Sequence, residues 1–168
     1  YVVQKYLEQH AAAAAVLMCS VPPQGLLGSA VSMMFSKPSM LAEMNTLLCG
    51  GKTSAKTLQD ALFAQEVSLD DLLRYLKHSQ PESHRALWDM TLIRPPRVDR
   101  ALAHLPHGVG SLRIIGAELD HQIPVSAAHM TARSFNTEAH IYTGMGHGLM
   151  LEKDWATVAA DLDAWFKS

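Results

Sequence analysis

Two short stretches of the 168-residue sequence carry ionisable groups where catalysis could use them: "LRIIGAELDHQIP" at 112–124 and "HIYTGMGHGLMLEKDW" at 140–155. Each is a β-type apolar run that leads into a glycine-containing turn. Asp120 stands just past the first run and His147 just past the second. A carboxylate and an imidazole at the ends of successive strands are the acid–base half of a nucleophilic triad. The carboxylate fixes the imidazole tautomer and stabilises the imidazolium, and the imidazole takes the nucleophile's proton. The small residues flanking His147 let the loop turn sharply. Each residue alone has an ordinary reading, Asp120 as a turn residue and His147 as a solvated loop histidine. Their joint placement and their order point to chemistry.

The elements that must position this pair alternate. "SLRIIG" reads as a strand, "PVSAAHMTARSF" as a helix opened by Pro124, "AHIYT" as a strand, and "LMLEKDWATVAADLDAWF" as a long amphipathic helix. Helices alternating with strands at this spacing predict a parallel sheet, and in such sheets functional groups gather beyond the carboxyl ends of the strands. Nearer the start, "YVVQKYLEQH" places Val2, Val3 and Tyr6 on one helical face with Gln4, Lys5 and Glu8 elsewhere. "AAVLMCSV" then reads as a buried strand closed by Pro22-Pro23 and Gly25, although its alanines also suit a helix. From Leu26 to about Leu92 helix signals replace strand signals. Ser36 before Lys37-Pro38, the capping box Ser68-Leu69-Asp70-Asp71 and Pro81-Glu82 each open a helix, and Gly50-Gly51 separates two of them. A short helix, "VDRALAHL", follows "RPP" at 94–96.

Composition sets the limits. The length fits one ordinary domain. Apolar residues make up 48% and charged residues 18%, with 14 basic and 16 acidic side chains scattered in no block of either sign. This argues for a globular chain and against a nucleic-acid or anionic-membrane partner. The charge-poor stretch from Gln9 to Ser36 is interrupted by "SVPPQG", whose prolines and polar groups do not suit a bilayer, so no membrane span is expected. Cys19 and Cys49 form neither a zinc spacing nor a disulfide framework, so a reducing, cytoplasmic setting is the default. The chain opens on Tyr1 rather than Met, as a piece cut from something longer would.

Other signals carry less. "CGGKTSAKT" has Thr46 where a phosphate loop requires its first glycine. His104 and His107 are too few for a metal centre. Met33, Met34, Met40, Met44 and Met90 could line an apolar acyl site or simply pack a core.

"GAELDHQIPV" followed by "YTGMGHGLMLEKDW" resembles the closing portion of an α/β-hydrolase, in which an acid-bearing turn follows the seventh strand and a G-x-G-H segment the eighth; the order Asp then His agrees. The resemblance extends backward to "YVVQKYLEQ" as the helix after the nucleophile elbow and to "AAVLMCSVPPQG" as the sixth strand. It implies an α/β fold: a partial parallel sheet of strands six to eight with flanking helices, a core of residues 1–25 and 107–168, and an inserted helical cap at 26–106. It also implies Asp120 and His147 as triad members, a small acyl ester as substrate, and no cofactor or metal.

The family's G-x-S-x-G elbow occurs nowhere in the 168 residues. Strands one to five and both oxyanion donors are missing with it, and losing even one such donor costs about 10²–10³ in rate. Ser20, at the end of the sixth strand, and Ser126, after the acid loop, are the nearest hydroxyls, but neither lies on a strand–turn–helix elbow. Cys19 is the stronger nucleophile chemically, yet in "VLMCSV" it reads as a small buried apolar residue. The sixth strand would be left as an apolar edge that invites another chain. A homodimer, or a complex with a missing N-terminal half, is expected. The alternative to a hydrolase is a catalytically inactive remnant or interaction module.

Overall fold

The computed structural model describes residues 1–25, 55–78, 80, 83–90 and 94–168. In chain order the described elements are α1 (Val2–Leu7), β1 (Ala15–Met18), α2 (Ala55–Leu62), α3 (Leu69–His78), α4 (His84–Trp88), α5 (Val98–Ala103), β2 (Leu112–Ala117), α6 (Val125–Ser134), β3 (Ala139–Tyr142) and α7 (Trp155–Lys167). A 3₁₀ turn, Gly108–Ser111, leads into β2. The expected helix starts at Ser36 and Pro81, the Gly50-Gly51 break, and Met33, Met34, Met40 and Met44 fall outside the described residues.

The strands form an open parallel sheet in the order β1-β2-β3. Leu17 pairs with Ile114, and Gly116 pairs with Ile141. The helical region connects β1 to β2, and α6 connects β2 to β3, as a parallel pairing demands of its crossovers. Alternation along the strands separates two cores. On one face Leu17, Leu112 and Ile114 pack with Leu7, Ala101, Ala132 and Phe135 from α1, α5 and the α6 end. On the other face Ile115, Ala117 and Tyr142 pack with Met145, Leu149 and Val158 of α7. Gly116 lets α6 sit against the sheet, since a Cβ there would meet the Ala128 Cβ at 2.9 Å. The helical region has its own small core of Leu58, Phe63 and Leu72.

Ser68 caps α3 as expected, its Oγ accepting the Asp71 N–H at 3.1 Å, while the Asp71 carboxylate takes the Ser68 hydroxyl at 2.8 Å. Two expectations change. In α1 the buried residues are Gln4 and Leu7, while Val2, Val3 and Tyr6 are exposed. Gln4 goes inward because its amide donates to Ser20 Oγ (2.8 Å) and to the Val21 carbonyl (2.7 Å) at the end of β1. The last helix begins at Trp155 rather than at Leu149. Before it, Leu151 and Glu152 N–H groups both turn back to the Gly148 carbonyl, at 2.7 and 3.1 Å.

Candidate active site

The loops after β2 and β3 are tied to each other before any catalytic group is considered. Glu118 N–H donates to the Tyr142 carbonyl and Leu119 N–H to the Met145 carbonyl, both at 2.9 Å. Gly144, at φ +67°, turns the second loop and gives its N–H to Glu118 Oε2 at 2.9 Å. The two loops therefore form one platform at the carboxyl end of the sheet.

Asp120 is set into this platform with its side chain fully buried. Its Oδ1 accepts the N–H groups of Gln122 and Ile123, each at 2.7 Å, in a tight turn that delivers the chain to Pro124 and α6. Its Oδ2 lies 2.9 Å from His147 Nδ1. A carboxylate can only accept, so Nδ1 carries the proton in this bond, which in a neutral imidazole leaves the lone pair on Nε2. The His147 side chain is 27% exposed, enough for its ring to meet a reactant.

Cys19 follows β1 at φ +42°, its N–H extending the ladder to the Ile115 carbonyl at 2.9 Å. Its thiol reaches the same place: one ligand-type atom from each of Cys19, Asp120 and His147 lies within 4.8 Å of the others. Burial pushes the thiol's pKa up, and the Asp120 charge and the hydrogen bond to it push the same way. Cys19 is therefore a protonated thiol beside the carboxylate. Among the described residues this is the group in which three possible metal ligands converge. Coordination there would have to displace the thiol proton and compete for the Asp120–His147 bond.

Of the other residues weighed from the sequence, Ser20 is buried with its Oγ bonded to Gln4, and Ser126 is exposed in the first turn of α6. His104 is half-buried, with Nδ1 3.0 Å from the Arg100 carbonyl, and His107 is exposed at the N-cap position of the 3₁₀ turn. The residue that sequence reasoning missed is Glu152. It is fully buried. Its Oε1 accepts the N–H groups of Gly146 and Ala64, both at 2.7 Å, and its Oε2 that of Gln65 at 3.1 Å. A lone acid closing the apolar run "GLMLE" was the available signal. Gly146 and Gly148 prove to serve close approach, since a Cβ on Gly146 would stand 2.7 Å from Ala64 N and one on Gly148 3.1 Å from the Leu62 carbonyl.

No protein-family model matches the chain, and no curated protein sequence matches it. Solved structures do. An alpha/beta hydrolase fold protein from Burkholderia ambifaria matches 96% of this chain at 22% identity and a TM-score of 0.51. An esterase from Exiguobacterium antarcticum matches 99% at 14% identity and a TM-score of 0.53. The 2-hydroxy-6-oxo-6-phenylhexa-2,4-dienoate hydrolase of Rhodococcus sp. strain RHA1 matches 99% at 14% identity and a TM-score of 0.51. The chain spans 61%, 63% and 59% of their respective lengths. No helix among the described residues is long and apolar enough to cross a membrane. With its open parallel sheet, its cap-like helical region and no nucleophile elbow on its described strands, the chain carries part of an α/β-hydrolase fold.

Proposed function

We propose that Asp120 and His147 are the acid and the base of a serine-hydrolase-type site that cleaves a small acyl ester, with the serine and the oxyanion donors supplied by a segment outside these 168 residues. The observation that carries this reading is the 2.9 Å bond from His147 Nδ1 to a fully buried Asp120 whose other oxygen is saturated by two backbone N–H groups. His147 Nε2 takes the proton of the attacking hydroxyl and returns it to the leaving alcohol. Asp120 holds the ring in that tautomer and stabilises the imidazolium. In this reading β1, β2 and β3 are strands six to eight, and residues 26–106 are the cap over the acyl site. The esterase among the similar structures favours an ester.

The test is ester turnover with and without an added segment bearing a G-x-S-x-G elbow, read beside intact mass after exposure to a fluorophosphonate. Turnover that appears with the segment, places the adduct on its serine and disappears in His147→Ala supports the reading. Turnover that survives His147→Ala overturns it.

The second reading, an interaction module without activity, is favoured by one observation. Val2 (74% exposed), Val3 and Tyr6 leave an apolar α1 face open beside β1, which is an edge strand of the described sheet. It predicts no adduct, no turnover and a homodimer through that edge.

A further inference from the structure

The segment from Ala61 to Gln65, at the end of α2, lies across both loops of the candidate site. Gly148 N–H donates to the Leu62 carbonyl at 2.7 Å. Gln122, in the acid loop, donates through Nε2 to the Ala61 carbonyl at 3.3 Å. Gln65 and Asp154 exchange two bonds: Gln65 Nε2 to Asp154 Oδ2 at 2.6 Å, and Asp154 N–H to Gln65 Oε1 at 3.1 Å. At the centre of these contacts is Glu152.

The Glu152 carboxylate joins two pieces of backbone that are otherwise remote in sequence. Its Oε1 is shared between Gly146, next to His147, and Ala64, in the helical region. A fully buried carboxylate has no water to fall back on, so each N–H it holds is costly to release. The contact is also too tight to slide. The Gly146 Cα faces Ala64 N so closely that even a methyl group would not fit, and the Phe63 ring lies within 3.1 Å of where a Gly148 Cβ would be. Glycine on either side of His147 and an acid five residues later thus serve one junction.

We infer that Glu152 is a positioning residue that locks the His147 loop to the Leu62–Gln65 segment, so that this part of the helical region and the base open and close as a single unit. The segment is then a fixed wall of the site, and any swing of the helical region must hinge elsewhere or dislodge His147. The inference rests on the reading of His147 as base only for its catalytic meaning; the coupling itself does not.

The test is site-resolved amide exchange by NMR on the full chain, comparing the native protein with Glu152→Ala and Glu152→Gln. The informative amide is Gly148, whose acceptor is the Leu62 carbonyl and not Glu152. In Glu152→Ala it should exchange at least about tenfold faster, along with Ala64, Gln65 and Gly146, since three N–H groups lose their acceptor and one net hydrogen bond alone is worth close to that factor. The His147 Nδ1–H signal should broaden, while the Gln122 and Ile123 amides on Asp120 stay protected. If only the three amides bonded to Glu152 loosen, and Gly148 and the ring signal do not change, the inference is overturned. Should Glu152→Ala fail to fold, Glu152→Gln decides. It keeps a carbonyl oxygen for Gly146 and Ala64 but sets an NH₂ against Gln65 N–H, so Gln65 should speed up while Gly148 follows Gly146 and Ala64, protected if they stay protected and faster if they loosen; a Gly148 that departs from them overturns the inference. Neither readout involves turnover, so failure of the hydrolase reading and failure of the coupling are separate results.

Discussion

Asp120 and His147 are 27 residues apart in sequence and are joined by a 2.9 Å bond between Oδ2 and Nδ1. The bond is one-directional as built, because the carboxylate has nothing to donate. Asp120→Asn should reverse it. The amide oxygen can still accept from Gln122 and Ile123 N–H, which leaves the NH₂ facing His147 and forces Nδ1 to become the acceptor. The ring nitrogens, read by ¹⁵N NMR, should move from the Nδ1–H to the Nε2–H tautomer with little loss of stability. In an assembled triad the same change costs about 10⁴ in kcat through the wrong tautomer. An unchanged tautomer would show that Asp120 does not orient the ring.

Asp120→Ala makes a different prediction. It strands two N–H groups at once, the buried one of Ile123, with a penalty of about 1–3 kcal/mol when unsatisfied, and the part-buried one of Gln122, which adds less. The unfolding midpoint in urea should fall sharply, in contrast to Asp120→Asn. Equal stability of the two variants would mean that the turn does not depend on the carboxylate.

Cys19 should behave as a buried neutral thiol and not as a nucleophile. Its burial and the neighbouring Asp120 charge raise its pKa above the ordinary 9.0, so the thiolate is scarce at neutral pH. Iodoacetamide should modify Cys19 in urea but hardly at all in the folded chain, with peptide masses separating it from Cys49. The sign of the pH effect follows. Above pH 9.0 the unfolded chain loses this proton while the folded chain keeps it, so stability falls as pH rises. Rapid native labelling of Cys19 would contradict the buried, protonated thiol.

The strands, α6 and the candidate pair were legible because they depend on local patterns: alternation in "LRIIGA", proline at the start of α6, and one ionisable group after each strand. The parts that were not legible depend on partners distant in sequence. Gln4 is buried in place of Val2 because Ser20 and Val21 accept its amide, which no helical periodicity contains. Residues 149–154 look helical, yet they turn because Gly148 accepts two N–H groups and Glu152 reaches back to Gly146. Cys19 is apolar by neighbourhood and becomes a polar contact only when β1 lies beside β2.

The two loop glycines separate strain from crowding. Gly144 sits at φ +67° with open space around its missing Cβ, whereas Gly146 would place a Cβ 2.7 Å from Ala64 N. Gly144→Ala should cost roughly 1–2 kcal/mol from left-handed backbone alone, and Gly144→Asn less, since asparagine tolerates that region. Gly146→Ala should cost about 1–3 kcal/mol by overpacking against backbone that cannot move aside, and Gly146→Asn more. Denaturation midpoints that improve from Ala to Asn at both positions would refute the distinction.

On the face of the sheet covered by α7, Tyr142 and Arg113 converge on Asp161. The tyrosine hydroxyl donates to Oδ2 at 2.5 Å and the guanidinium at 2.6 Å. The Tyr142 bond is the main cause that holds Asp161 below its ordinary 3.8, and Arg113 adds to it. Burial first, and then the Asp161 bond and charge, hold the Tyr142 hydroxyl above its ordinary 10.0. The depressed carboxyl contributes stability above pH 3.8 that is lost as pH falls through its folded value. The raised phenol contributes stability below pH 10.0 that is lost as pH rises toward its folded value. Tyr142→Phe deletes the phenol and relaxes the carboxyl. The stability gap between the native chain and Tyr142→Phe should therefore be widest between these two limits and narrow on both sides, as followed by urea unfolding across the pH range. A gap that stays constant from acid to alkali would mean that the Tyr142–Asp161 bond contributes nothing linked to either proton.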